Sequence, residues 1–207
     1  MPNFSSIGSF SEDGMPLTLL GRRVVAEYVV DDDEVLRRAT YGLGAVVSAR
    51  LLEALMALPV HEAVRWSSLT QYTRASLKDA PAGCMSREGR YVTRYVVAPV
   101  KVRAVTMSAR HVNSGLDAVS KFAPFCERTL VVNEMQLNDT DVLNAHLFGI
   151  GLVGASSRSA ATWPAKPAPF KPTRPTWAWW RFQELAWAQL SVPARRSETE
   201  DQILQLT

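Results

Sequence analysis

The 207-residue sequence has only two cysteines, Cys84 and Cys126, and three histidines, His61, His111 and His146. Neither cysteine has a neighbour at CxxC or Cys/His spacing, so neither a zinc site nor a disulfide framework is implied, and the thiols are expected to be buried and idle. The histidines are scattered, with no HExxH or HxH pattern to bring two onto one helix face, so no metal site is expected. Every long apolar run is cut by Arg, Asp, Gly or Pro well short of the ~20 residues of a membrane helix, and no membrane partner is expected. The opening MPNFSSIGSFSEDG has neither the basic nor the apolar segment of a secretory signal, which points to the cytoplasm. GxGxxG, Walker A, GxSxG and zinc-deaminase patterns are missing too, so the sequence calls for no cofactor and argues against the common nucleotide, hydrolase and zinc enzymes.

What is present is an ordinary globular composition, 47% hydrophobic and 21% charged, so the chain is expected to fold. Its net charge of +3 hides a segregation. Between residues 87 and 111, six basic residues (Arg87, Arg90, Arg94, Lys101, Arg103 and Arg110) face Glu88 alone. Between residues 158 and 196, seven more, Lys171, Arg174 and Arg181 among them, face Glu184 alone. The rest of the chain is therefore net acidic. Two basic segments in an acidic body attract a polyanion locally even when the overall charge is small.

Along the chain, residues 1–15 are Ser/Gly-rich and read as a flexible N-terminal arm. A β-branched stretch from Leu17 to Val30 predicts a strand, and Asp31, Asp32 and Asp33 supply capping oxygens and favourable charge for a helix starting near Asp33. Apolar residues at helical spacing continue to Leu55, with Gly42 and Gly44 able to divide the helix and Pro59 ending it. A weaker helical stripe follows from Val60 to Lys78. RYVTRYVV and VKVRAVTM alternate as strands about Pro99. On them, Lys101, Arg103 and Val105 share one side, Arg90 and Arg94 share a side, and Tyr91 and Tyr95 take the opposite one. A short helix or turn over 112–124, a strand RTLVVNEMQL, a short helix capped by Asn138 or Asp139, and a final strand LVGAS complete the body.

Composition then changes. Five prolines fall in the thirteen residues from Trp163 to Pro175, which predicts a stiff, extended linker. Beyond it, WAWWRFQELAWAQL is helix-compatible and holds Trp177, Trp179, Trp180 and Trp187, an aromatic density suited to docking or to an interface. Ser197 and Glu200 form a capping-box pattern for a short terminal helix. The expected fold is α+β, a mixed or antiparallel sheet packed by helices, with a globular domain over 16–160, the proline-rich linker over 161–176 and a tryptophan-rich helical tail over 177–207.

One stretch carries candidate chemistry. In LDAVSKFAPFCERTLVVNEMQ, Asp117 precedes a strand that ends at Glu134 and Gln136 and is followed by a helix. Over residues 115–154 this resembles the PD-(D/E)XK nuclease core, in which acidic residues at strand ends hold a divalent ion that activates water. The resemblance implies metal binding by Asp117 and Glu134, with Gln136 standing where that family has a lysine. Glutamine cannot supply that charge, and no proline precedes Asp117.

Three functions follow as expectations. The first is a non-enzymatic nucleic-acid-binding subunit of a multiprotein assembly, contacting DNA or RNA through Arg90, Arg94, Lys101, Arg103, Arg110, Lys171, Arg174 and Arg181, with the four C-terminal tryptophans as interaction residues. The second is a structural or protein-interaction subunit without nucleic acid. The third is a divergent metal-dependent nuclease using Asp117, Glu134 and Gln136.

Overall fold

Leu20 and Gly21 both adopt left-handed backbone, with φ of 50° and 71°. This two-residue turn folds what the sequence presents as one long strand into a hairpin of β1 (Met15–Leu19) and β2 (Arg22–Val30), with Leu17 opposite Val24. The computed structural model describes residues 14–132, 137–154, 165–171 and 174–204, with side chains to 191. Most of the N-terminal arm and parts of the proline-rich segment lie outside the described residues. The fold is α+β, with helices packed on one mixed and one antiparallel sheet. The chain divides into two compact units: one takes Val30–Lys101 and the described residues of Pro175–Thr207, the other the described residues of Ser9–Val29 and Val102–Arg174.

The first unit begins with α1 (Asp32–Tyr41). Asp31 caps it, its side chain accepting from the Glu34 amide at 3.0 Å, and Gly42 ends it in the left-handed conformation. Gly42 thus divides the long helical stretch, and α2 (Ala49–Met56) starts anew from the Ser48 cap. The weak stripe over 60–78 resolves into a short strand, β3 (Ala63–Arg65), a 3-10 turn at Trp66–Ser68, and α3 (Gln71–Leu77) capped by Thr70. β4 (Met85–Glu88) and β5 (Tyr91–Arg94) form a hairpin through Gly89, and the sheet order is β3-β5-β4, antiparallel throughout. α2 and α3 pack together around Leu52, Leu55, Leu58 and Leu77, with Cys84, Val92 and Val96 completing the core.

The tryptophan-rich segment is one continuous helix, α6 (Trp177–Leu204), so the expected separate helix begun by Ser197 is absorbed into it. It packs on α2, and Trp180, Phe182, Gln183, Glu184 and Ala186 are buried. The physical reason lies in a charged cluster. Arg38 and Glu184 are 1% and 0% exposed, and the guanidinium donates to both Glu184 carboxylate oxygens, at 2.6 and 2.9 Å. Glu184 also accepts from the Val46 amide at 2.8 Å and from the Trp180 indole at 2.9 Å. Arg38 further donates to Glu34 at 2.7 Å, to the Val97 carbonyl at 2.7 Å and to the Gly44 carbonyl at 3.2 Å. Burial by itself would lower the Arg38 pKa, but its hydrogen bonds and charge contacts with Glu184 and Glu34 outweigh this and raise it.

The second unit holds a five-stranded mixed sheet in the order β1-β2-β6-β7-β8. Here β6 (Val100–Ala109), β7 (Glu127–Val132) and β8 (Gly151–Gly154) run parallel, linked by α4 (Val112–Ser120) and α5 (Asp139–Leu147). Parallel neighbours need such crossovers. α4 packs on β7 and α5 on β8. The close fit of α4 depends on Gly115, where a Cβ would lie 2.7 Å from the Leu130 methyls and 2.9 Å from the Ala109 Cβ. Met107, Leu116, Val119, Phe122, Cys126, Leu130 and Leu152 are buried there.

Candidate nucleic-acid interface

Strand register assigns the two faces of the sheet in the first unit. Val64, Val92 and Arg87 form one cross-strand row, and Arg65, Tyr91 and Glu88 form the next. Val92 is fully buried, so its row faces the core, and period-two alternation puts Arg65, Tyr91 and Glu88 on the outer face with Ala63, Thr93 and Ser86. Tyr91 is 43% exposed there. Tyr95 extends the same side, its hydroxyl accepting from Ser86 Oγ at 3.3 Å and its ring lying 5.7 Å from that of His61. The result is an open sheet face carrying two tyrosines, a histidine and an arginine, with Glu88 at its edge. Arg65 and His61 were not singled out in the sequence, because the period-3.6 reading of 60–78 hid the strand that carries Arg65. At the rim, the Arg87 guanidinium stacks 4.4 Å from the Trp66 ring.

The basic residues named from sequence meet different fates. Arg90 is exposed in the β4–β5 turn. Arg94 is half-buried on the inner side of the sheet. Its guanidinium donates to the Leu55 carbonyl at the end of α2 (3.1 Å) and lies 5.3 Å from the Trp180 ring. Burial alone lowers its pKa, with no charged group contributing. Lys101 and Arg103 are exposed on β6, but Val105 and Met107, which share their side by alternation, are buried, so only the start of that strand face is open. Arg110, Lys171 and Arg174 are exposed in the second unit.

On α6, Arg181 is exposed and donates to the Val47 carbonyl at 3.0 Å. Trp177 is 40% exposed, Trp180 is 5% exposed and Trp179 and Trp187 are intermediate. Trp179 and Trp180 form one side of a cleft of about 260 Å³ within this unit, whose lining also includes Arg94, Met56, Val97, Ala98 and Pro175. Arg94 Nε and Trp179 Nε1 are buried and meet no acceptor among the described residues.

Asp117 lies within α4, exposed, not at a strand end. Val112, Leu116 and Val119 at helical spacing bury the opposite side and make this stretch a helix. Glu134 and Gln136 lie outside the described residues, and among the described residues no group of three or more His, Cys, Asp and Glu is gathered as metal ligands. Among them, too, no helix is long and apolar enough to cross a membrane. Comparison with protein-family models, with curated proteins and with solved structures gives no match to this chain.

Proposed function

We propose that this protein is a non-enzymatic nucleic-acid-binding subunit of a multiprotein assembly, and that single-stranded DNA or RNA lies across the outer face of the β3-β5-β4 sheet. The observation that carries this reading is the cross-strand placement of Arg65 beside exposed Tyr91, with the Tyr95 and His61 rings on the same side. Unpaired bases stack on such rings whatever their sequence, while a cation nearby holds the phosphate. Exposed Arg90, in the β4–β5 turn of the same unit, adds a phosphate contact.

Binding of a fluorescein-labelled oligonucleotide, followed by anisotropy over a salt series, tests the reading. Affinity is expected to fall steeply with salt. Tyr91→Ala should weaken it by about 1–3 kcal/mol at every salt concentration, as loss of one stacked base does. Paired Arg65→Ala and Arg90→Ala substitutions should instead flatten the salt slope by about two counterions. Failure of the protein to bind at low salt, or unchanged binding by Tyr91→Ala, overturns this assignment.

A second reading, a protein-interaction subunit without nucleic acid, is favoured by α5. Leu143, Leu147 and the following Phe148 are 56%, 70% and 59% exposed, and the two leucines, four residues apart, share one side of the helix. Leu147→Asp should then abolish assembly with partner subunits while leaving oligonucleotide affinity unchanged.

A further inference from the structure

The outer face of the β3-β5-β4 sheet carries an acid that phosphate binding alone does not require. Glu88 on β4 lies directly opposite Tyr91 on β5, and Arg65 on β3 lies directly opposite Tyr91 from the other side. Side chains paired in this way leave the backbone about 4.5–5.5 Å apart, so one ring stands between a carboxylate and a guanidinium. All three residues are exposed. Glu88 makes no ion pair among the described residues, and Arg87 beside it in the chain is turned to the Trp66 ring instead. An unpaired carboxylate repels phosphate, and at a base-stacking ring it gains only by accepting hydrogen bonds from the edge of the base.

The bases differ in what they offer a carboxylate. Guanine alone presents two adjacent donors on its pairing edge, N1–H and the N2 amino group, which match the two carboxylate oxygens. In adenine and cytosine the amino group sits beside a ring-nitrogen lone pair, which repels the second oxygen. In uracil and thymine the single N3–H lies between two carbonyl acceptors. We propose that Glu88 makes this surface select guanine at the nucleotide stacked on Tyr91, an inference that rests on the single-stranded nucleic-acid reading above. The guanine donates through N1–H and N2 to the two Glu88 oxygens, a bidentate and charge-assisted pair, while Arg65 across the ring meets the phosphate. Only unpaired guanine offers this edge, because in a duplex cytosine occupies it.

Anisotropy of fluorescein-labelled nonanucleotides tests this, with thymidine tracts as DNA and uridine tracts as RNA, each carrying guanine, hypoxanthine, adenine or cytosine at the central position. Hypoxanthine is the decisive comparison, since it keeps the purine rings and the N1–H of guanine and lacks only the amino group. The guanine tract is expected to bind about tenfold more tightly than the other three. Glu88→Gln offers one acceptor and one donor in place of two acceptors, and should bring the guanine and hypoxanthine tracts to within about twofold of each other. The same variant should bind the plain tracts at least as tightly as before, which also shows that it is folded. No binding of any tract at low salt would overturn the nucleic-acid reading as a whole. Equal binding of the guanine and hypoxanthine tracts, or a guanine preference undiminished in Glu88→Gln, would overturn the guanine assignment alone.

Discussion

Glu184 on α6 receives Arg38 of α1 through two parallel hydrogen bonds, 2.6 and 2.9 Å long, with both side chains sealed from solvent. The pair joins segments 146 residues apart and fixes the rotation of α6 against its unit. Glu34 completes the arrangement from the other side of the guanidinium and also receives Arg37 at 2.7 and 2.8 Å. Two carboxylates thus surround one fully buried cation, and Arg37 at the margin offsets the remaining charge.

Truncating one side of this pair should be far worse than replacing both. Glu184→Ala leaves Arg38 buried without its main counter-charge and is expected to cost about 3–5 kcal/mol in urea unfolding. The double variant Arg38→Met, Glu184→Leu removes both charges together and should recover much of that loss. A double variant as unstable as the sum of the two singles would show that the residues act independently.

The two thiols report on the two units separately, Cys84 in the first and Cys126 in the second. Burial pushes the Cys84 thiol up from about 9 to about 11 and the Cys126 thiol to about 12. Both should resist a disulfide reagent at pH 8 in the folded protein and react at once in denaturant. Below pH 9 folded and unfolded chains both keep these protons, and the thiols add no pH dependence. Between pH 9 and about 11 the unfolded chain releases a proton that Cys84 retains, so stability falls as pH rises, and Cys126 extends the fall to about 12. Alkaline denaturation of Cys84→Ala should show a shallower slope over that window.

Leu20 is a non-glycine residue at φ 50° in a two-residue turn, where a side chain branched beyond Cβ gains nothing locally. It is also 40% exposed, so little burial is lost on replacement. Leu20→Asn is expected to stabilise the protein by about 0.5–1 kcal/mol, because asparagine tolerates left-handed backbone better. Thermal unfolding should register this as a rise in Tm.

Gly115→Ala sets helix propensity against packing. Alanine would favour α4 by ~1 kcal/mol, but its methyl would press on Leu130, fully buried, and on the Ala109 Cβ, which cannot rotate away. Overpacking of this kind costs about 1–3 kcal/mol, so the net change should be destabilising in urea unfolding. A stabilised variant would mean that α4 can shift from β7 more freely than its packing indicates.

Elements whose signals are local were legible in the sequence. The Asp31 cap, the alternation of VKVRAVTM and the 112–120 helix all depend on residues a few positions apart, and these propensities survive folding. The Leu20–Gly21 hairpin and β3 were not, since a leucine at a left-handed position and a three-residue strand carry no periodic signature. In the candidate interface, alternation alone placed Tyr91 and Tyr95 together, opposite Arg94.

The sequence by itself determined an α+β chain with segregated positive charge, two thiols outside any metal pattern and a helix rich in tryptophan. Only the tertiary structure decided which of those charges remain available to a partner. Arg94 turns inward toward Leu55 and Trp180, whereas Arg65 emerges beside Tyr91. Glu184, the one carboxylate in its basic segment, leaves the surface altogether to neutralise Arg38. The reason is that burial and ion pairing are set by partners distant in sequence, and the free energy of a charge depends on those partners more than on its neighbours along the chain.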